Sequence, residues 1–145
     1  MTRTNPSGAV HLGKLMLAGF AAGIWVVVSG MFMAAAFGYR DMSAAFDAIG
    51  LAIPRGVEPL VVHTLVRLVM GMGVAALFAI FIRVLSPARA MFAAAGFIWV
   101  FGVVLPFAVV VEWGLFPWAL AAKAWAWGLG EMLVAAAIAR LLYRP

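Results

Sequence analysis

The chain has 145 residues, of which 68% are hydrophobic and only 10% are charged. A soluble domain of this size carries roughly 25% charged residues, so a water-soluble globule is excluded and the lipid bilayer becomes the expected solvent. The formal charge of +5 gives no reason to expect nucleic acid, because its distribution follows membrane topology instead. The absence of cysteine removes disulfides, thiolate nucleophiles and cysteine metal sites.

A membrane-spanning helix needs about 20 mostly apolar residues. Four stretches meet that length, near residues 15–37, 59–85, 90–111 and 118–138. None alternates with a period of two, which excludes a β-barrel. The first stretch is uncharged, and its apolar run exceeds the roughly 7–15 residues of a signal-peptide core, so a retained helix is expected. Gly19 and Gly23 within it form a G-x-x-x-G pair, and Gly71 in the second stretch offers a similar small surface. In lipid such residues let helices approach closely. They imply either packing inside one chain or a homodimer seam through Gly19 and Gly23.

The 40–58 connection holds Arg40, Asp41, Asp47, Arg55 and Glu58. Phe46, Ile49 and Ile53 recur at helical spacing, which predicts a short helix over about 42–53, capped by Asp41 and lying flat in the interface. Ser86-Pro87 and Gly114-Leu115-Phe116-Pro117 predict tight turns between the later spans, and hence antiparallel neighbours. Arg3, Lys14, Arg83, Arg89, Arg140 and Arg144 then fall on one side. Arg40 and Arg55 fall on the other with Asp41, Asp47, Glu58 and Glu112. The positive-inside rule assigns both termini to the cytoplasm. The expected architecture is all-α: one domain, a four-transmembrane-helix antiparallel bundle of a bacterial inner membrane. Trp113, Phe116 and Trp118 form an aromatic belt at the opposite face.

Glu131 lies in the middle of the fourth stretch. A charged side chain at that depth costs roughly 2.5–3.5 kcal/mol on insertion scales, so it calls for a partner or a task. Lys123, Trp127 and Glu131 are spaced i, i+4, i+8, and so are His63, Arg67 and Gly71, which puts each set on one helix face. At about 1.5 Å per residue, Arg67 and Glu131 differ in depth by only about 8 Å. Arg67 is therefore the expected partner of Glu131, and Lys123 is expected to pair with Glu112 nearer the surface. His63, Arg67, Lys123, Glu112 and Glu131 are the candidate residues for binding an ion, a proton or a polar ligand. The competing readings are a structural ion pair that sets helix register and a Glu131 kept protonated by desolvation. His63 reads as a hydrogen-bonded structural residue. His11 falls on the opposite side, so the two cannot clasp one haem within a chain. No metal-ligand spacing, activated serine or phosphate loop is present, so neither enzyme activity nor a cofactor is expected.

His63 early in its span, the Gly114-Leu115-Phe116 turn, Trp127-Gly128-Leu129 with Glu131, and the Leu142-Tyr143-Arg144 ending carry a resemblance. Across spans two to four the chain is similar to small bacterial four-helix membrane proteins of uncharacterised function. That resemblance implies the topology and no mechanism. Small multidrug transporters also have four spans and an essential membrane glutamate, but theirs lies in the first helix, and here the first helix has none. The expected function is an accessory or interaction subunit of a membrane complex, with no catalysis of its own. The alternative is a small homo-oligomeric transporter or ligand-binding protein built on Glu131 and Arg67. Lipid is a partner in either case; a homodimer or larger complex is the expected assembly.

Overall fold

A computed structural model describes residues 11–143 and is all-helical over that range. Arg3 and Arg144 lie outside the described residues. Four helices are long and apolar enough to cross a membrane: α1 (Leu12–Ala48), α2 (Val57–Phe81), α3 (Pro87–Glu112) and α4 (Trp118–Leu142). Three of them have 25 or 26 residues, whereas α1 has 37. At about 1.5 Å per residue, α1 is roughly 55 Å long and overshoots a hydrocarbon core of about 30 Å.

This corrects the expectation of a separate interfacial helix at 42–53. The helix runs from the first span through a π turn, Ala34–Gly38, and on to Ala48 without interruption. Asp41 sits inside it and caps nothing. Gly50 ends it. Its φ of +72° is the left-handed conformation that glycine adopts without a steric cost. Leu51 N–H then reaches Phe46 O at 3.0 Å and Gly50 N–H reaches Asp47 O at 3.1 Å. That bond pair closes a helix C-terminus, so Ile49 and Ile53 lie beyond the helix. The same device ends α3: Gly114 has φ +73°, with Leu115 N–H on Val110 O at 3.1 Å and Gly114 N–H on Val111 O at 2.9 Å.

The remaining boundaries shift by a few residues. Helix α2 starts at Val57 and stops at Phe81, four residues before the expected end at 85, because a turn over 82–85 follows it. Helix α3 starts at Pro87, whose missing N–H costs nothing at a helix start. Pro106 sits inside α3, where it cannot donate to the carbonyl four residues back. A π turn, Val100–Val104, precedes it and absorbs the conflict without ending the helix.

Helix α1 packs on α2 and α4, and α4 touches all three other helices. The α1–α2 seam is made by glycine. A Cβ on Gly71 would overlap the backbone of Ala22 and Gly23, and one on Gly23 would lie 2.9 Å from Leu68 O. The Gly19 and Gly23 face is thus taken up by α2 of the same chain, which leaves it no room to serve as a seam between copies. The apolar core lies in the half nearer the α2–α3 turn. It is mostly alanine (Ala18, Ala22, Ala75, Ala94, Ala135, Ala136), with Phe78 and Met132 the largest fully buried side chains. Small side chains allow close backbone approach, where van der Waals packing holds lipid-embedded helices together. Outward positions carry Phe20, Phe32, Leu65, Phe97 and Phe101, which suits contact with lipid. The polar site sits at the inner edge of this alanine core.

Candidate functional site

Helix α2 delivers Arg67 to the centre of the bundle, and Gly30 of α1 makes room for it. A Cβ at position 30 would overlap the guanidinium. Arg67 Nη1 donates to Glu131 Oε1 at 2.5 Å and to Val26 O at 2.9 Å. Its Nε donates to His63 Nε2 at 2.7 Å. One side chain therefore ties α1, α2 and α4. The ion pair is enclosed: the Arg67 and Glu131 side chains keep 11% and 3% of their surface. Arginine has no acceptor, so His63 Nε2 must be unprotonated and the neutral imidazole carries its hydrogen on Nδ1, an assignment made from the bonding pattern.

Glu131 is held from a second direction. Ser29 lines the same groove as Glu131, and its hydroxyl accepts a hydrogen bond from Trp127 Nε1 at 3.0 Å. Trp25 Nε1 donates to the backbone carbonyl of Glu131 at 3.1 Å. Trp99 does the same for the carbonyl of Trp125 at 2.8 Å. These indoles fix the rotation and height of α4 against α1 and α3, so three of the deep tryptophans bring polar ends as well as packing area.

Beside the pair lies a cavity of about 180 Å³, lined among others by Met33, His63, Arg67, Val103, Gly128 and Glu131. At about 30 Å³ per water it has room for roughly six. The α3 π turn supplies part of its wall through Gly102 and Val103. Single π turns recur at functional sites because they re-aim side chains. His63 also borders a separate surface groove with Pro54, Glu58 and Val62, on the side of the α1–α2 loop. On its other side Glu131 borders an outward-facing groove of about 580 Å³ between α1 and α4. Ser29, Ala36, Ala126, Trp127 and Gly130 line that groove.

The sequence expectations divide here. His63, Arg67 and Glu131 come together. Lys123 does not join them, and it does not pair with Glu112. Its Nζ lies 2.6 Å from Asp41 Oδ2 and 5.7 Å from the centre of the Phe37 ring. Glu112 is exposed at the end of α3. Asp41 comes within reach because α1 continues past the apolar stretch. Arg40 Nε adds a contact at 3.0 Å. The Lys123 ammonium, and after it the Arg40 guanidinium, hold the Asp41 carboxyl below its ordinary range. Asp41, Ser29 and the Val26 carbonyl were missed by sequence reasoning. A serine facing inward from an apolar helix was the one available signal. Among the described residues, no three His, Asp or Glu side chains gather as metal ligands.

No protein-family model, curated protein or solved structure matches the chain.

Proposed function

We propose that this is a multi-pass protein of a bacterial inner membrane, an accessory or interaction subunit with no catalysis of its own. Its kinship with small bacterial four-helix membrane proteins is part of the same proposal. The observation that carries it is the closure of the polar centre within one chain. Arg67 donates to groups on three helices, so the pair works as a clamp that sets helix register. An antiparallel arrangement is supported by the order of contacts along the helices, and the cytoplasmic side for both termini rests on the distribution of basic residues alone. Gly19 meets Met72, Gly23 meets Leu68 and Gly30 meets Arg67, so ascending positions on α1 meet descending ones on α2. The rings of Phe46 and Phe116, 5.9 Å apart, bring the α1–α2 and α3–α4 connections to the same end.

The groove between α1 and α4 is where a partner helix would fit. A Cβ on Gly130 would meet nothing within 4 Å, so a side chain added there fills the groove without disturbing the fold. The test is native mass spectrometry of the protein extracted from its own membrane in mild detergent. The expected result is a stoichiometric hetero-complex that Gly130→Leu disrupts. A homogeneous homomer, or a complex indifferent to Gly130→Leu, overturns the reading.

The cavity of about 180 Å³ favours one second reading: a homo-oligomeric transporter or ligand-binding protein using Glu131 and Arg67. On that reading Glu131→Gln abolishes proton-coupled uptake in proteoliposomes while the protein stays folded. A folded and fully active Glu131→Gln variant would sink it.

A further inference from the structure

His63 and Val66 line two spaces: the cavity beside Arg67 and Glu131, and the surface groove bordered by Pro54 and Glu58. These two side chains therefore stand between groove and cavity. His63 follows Val57, the first residue of α2, by about 9 Å of helix, and both His63 and Glu58 are exposed. A proton coming from the α1–α2 loop side meets His63 before it meets Arg67 or Glu131.

The bond that holds His63 in this wall exists in one protonation state only. The neutral imidazole carries its hydrogen on Nδ1 and offers the Nε2 lone pair to Arg67 Nε–H at 2.7 Å. An added proton takes that same lone pair. It sets N–H against N–H and an imidazolium beside a guanidinium, so the bond is lost. Arg67 keeps Val26 O and Glu131 Oε1, both through Nη1, and the tie between α1, α2 and α4 survives. The surrounding groups leave the imidazolium one direction to take. Arg67, on its own helix, repels it. Glu58, also on α2, lies on the groove side and attracts it, and the loop brings only Pro54 there. On the cavity side Glu131 of α4 is already paired. The cavity residues from α1 and α3 are Met33, Gly102, Val103 and Phe107, none of them titratable.

We propose that His63 is the proton entry to the cavity. A proton taken onto Nε2 from the α1–α2 loop side releases Arg67, turns the imidazolium towards Glu58 and opens the cavity to water from that side. The inference rests on the ligand-binding reading of Arg67 and Glu131 and narrows it: the ligand is the proton, His63 receives it first, and it arrives from one side of the membrane.

Two measurements on the full chain in lipid test it. The chain has two histidines, so nitrogen NMR of isotopically labelled histidine in a His11→Gln variant reads His63 alone. The expected result is the Nδ1–H tautomer at alkaline pH, reversible conversion to imidazolium on acidification, and a shift of the Arg67 Nε resonance with the same midpoint. An Nε2–H tautomer, or an Arg67 resonance that ignores the His63 titration, overturns the proposal. The absence of cysteine also gives a clean background for Met33→Cys, at a position that lines the cavity and not the groove. Its rate with a small, permanently charged methanethiosulfonate is divided by that of Leu51→Cys, in the exposed loop, at the same pH. The ratio should rise about tenfold per unit of falling pH until His63 is fully protonated. His63→Gln keeps an acceptor for Arg67 and takes up no proton, so it should hold the ratio low at every pH. A ratio that ignores pH, or a rise that persists in His63→Gln, overturns the proposal; if Met33→Cys folds poorly, the NMR result decides. Neither measurement involves transport. Proton-coupled uptake that survives Glu131→Gln sinks the transporter reading alone, whereas a His63 that does not titrate sinks the proton entry alone.

Discussion

Replacing Glu131 with leucine removes the carboxylate 2.5 Å from Arg67 Nη1 and leaves a guanidinium enclosed with one carbonyl and one imidazole as acceptors. A guanidinium cannot shed its proton to escape. Breaking an enclosed pair from one side costs about 3–5 kcal/mol, because the surviving charge is uncompensated. At about 1.4 kcal/mol per decade, that is a loss of two to four decades in the folded-to-unfolded ratio. Arg67→Leu should cost less, since a lone carboxyl can take up a proton and become neutral. Glu131→Gln keeps a hydrogen-bond acceptor but leaves the guanidinium charge uncompensated, so its cost lies between about 1–1.5 kcal/mol, the gap between charged and neutral hydrogen bonds, and the cost of the leucine variant.

The double variant Arg67→Leu with Glu131→Leu decides the matter. Replacing both members of an enclosed pair by apolar groups is close to neutral. The double variant should therefore be more stable than Glu131→Leu alone. Thermal or sodium dodecyl sulfate unfolding in a mild detergent, followed by tryptophan fluorescence, measures this. Trp25 and Trp127 report from the immediate surroundings of Glu131. Single costs that simply add in the double variant, within about 0.5 kcal/mol, would show that the two residues do not act as a unit and refute the clamp.

The other expectations follow from the same contacts. Gly30→Ala changes no charge, yet its Cβ overlaps the Arg67 guanidinium. It should lower the unfolding temperature much as Glu131→Gln does, and its effect should vanish in an Arg67→Leu background. Gly71→Ala drives a methyl into the backbone of Gly23, so a loss of about 3 kcal/mol, at the upper end for overpacking, is expected in the same assay. Gly96→Ala meets nothing within 4 Å and should gain up to about 1 kcal/mol from helix propensity. At the end of the bundle marked by Phe46 and Phe116, Asp41→Asn should lower the unfolding temperature only slightly, because Lys123 is half-exposed and solvent screens the pair. The Asp41 carboxyl is held below its ordinary range. What the contact contributes is therefore present above the ordinary carboxylate pKa and is lost as pH falls through the lowered one. An acid titration of Asp41 by NMR checks the direction: a midpoint at or above the ordinary carboxylate value counts against the contact.

The successes and errors of the sequence reading share one origin. Depth along a helix follows from a fixed rise per residue. That was enough to match Arg67 to Glu131, because two opposite charges in an apolar interior have few alternatives and a long side chain absorbs the roughly 8 Å offset. The same arithmetic failed for Lys123. It assumed that α1 stops where its apolar residues stop, but a helix ends where its backbone finds a cap. Tyr39-Arg40-Asp41 are polar, yet none of them breaks a helix, and the chain stays helical until Gly50 supplies a left-handed residue. The extra turns place Asp41 beside Lys123 and remove the interfacial helix inferred from Phe46, Ile49 and Ile53. Gly50 was visible in the sequence as a stop, and weighing it above apolar spacing would have recovered both. The π turns are a different case. Pro106 announces a disturbance in α3 but not whether the helix kinks or widens, and nothing comparable announces Ala34–Gly38. A widened turn is decided by neighbouring helices, here where Val103 meets the position Gly128 leaves open. That contact forms part of the cavity wall, so the least legible piece of backbone helps to shape the space beside Glu131.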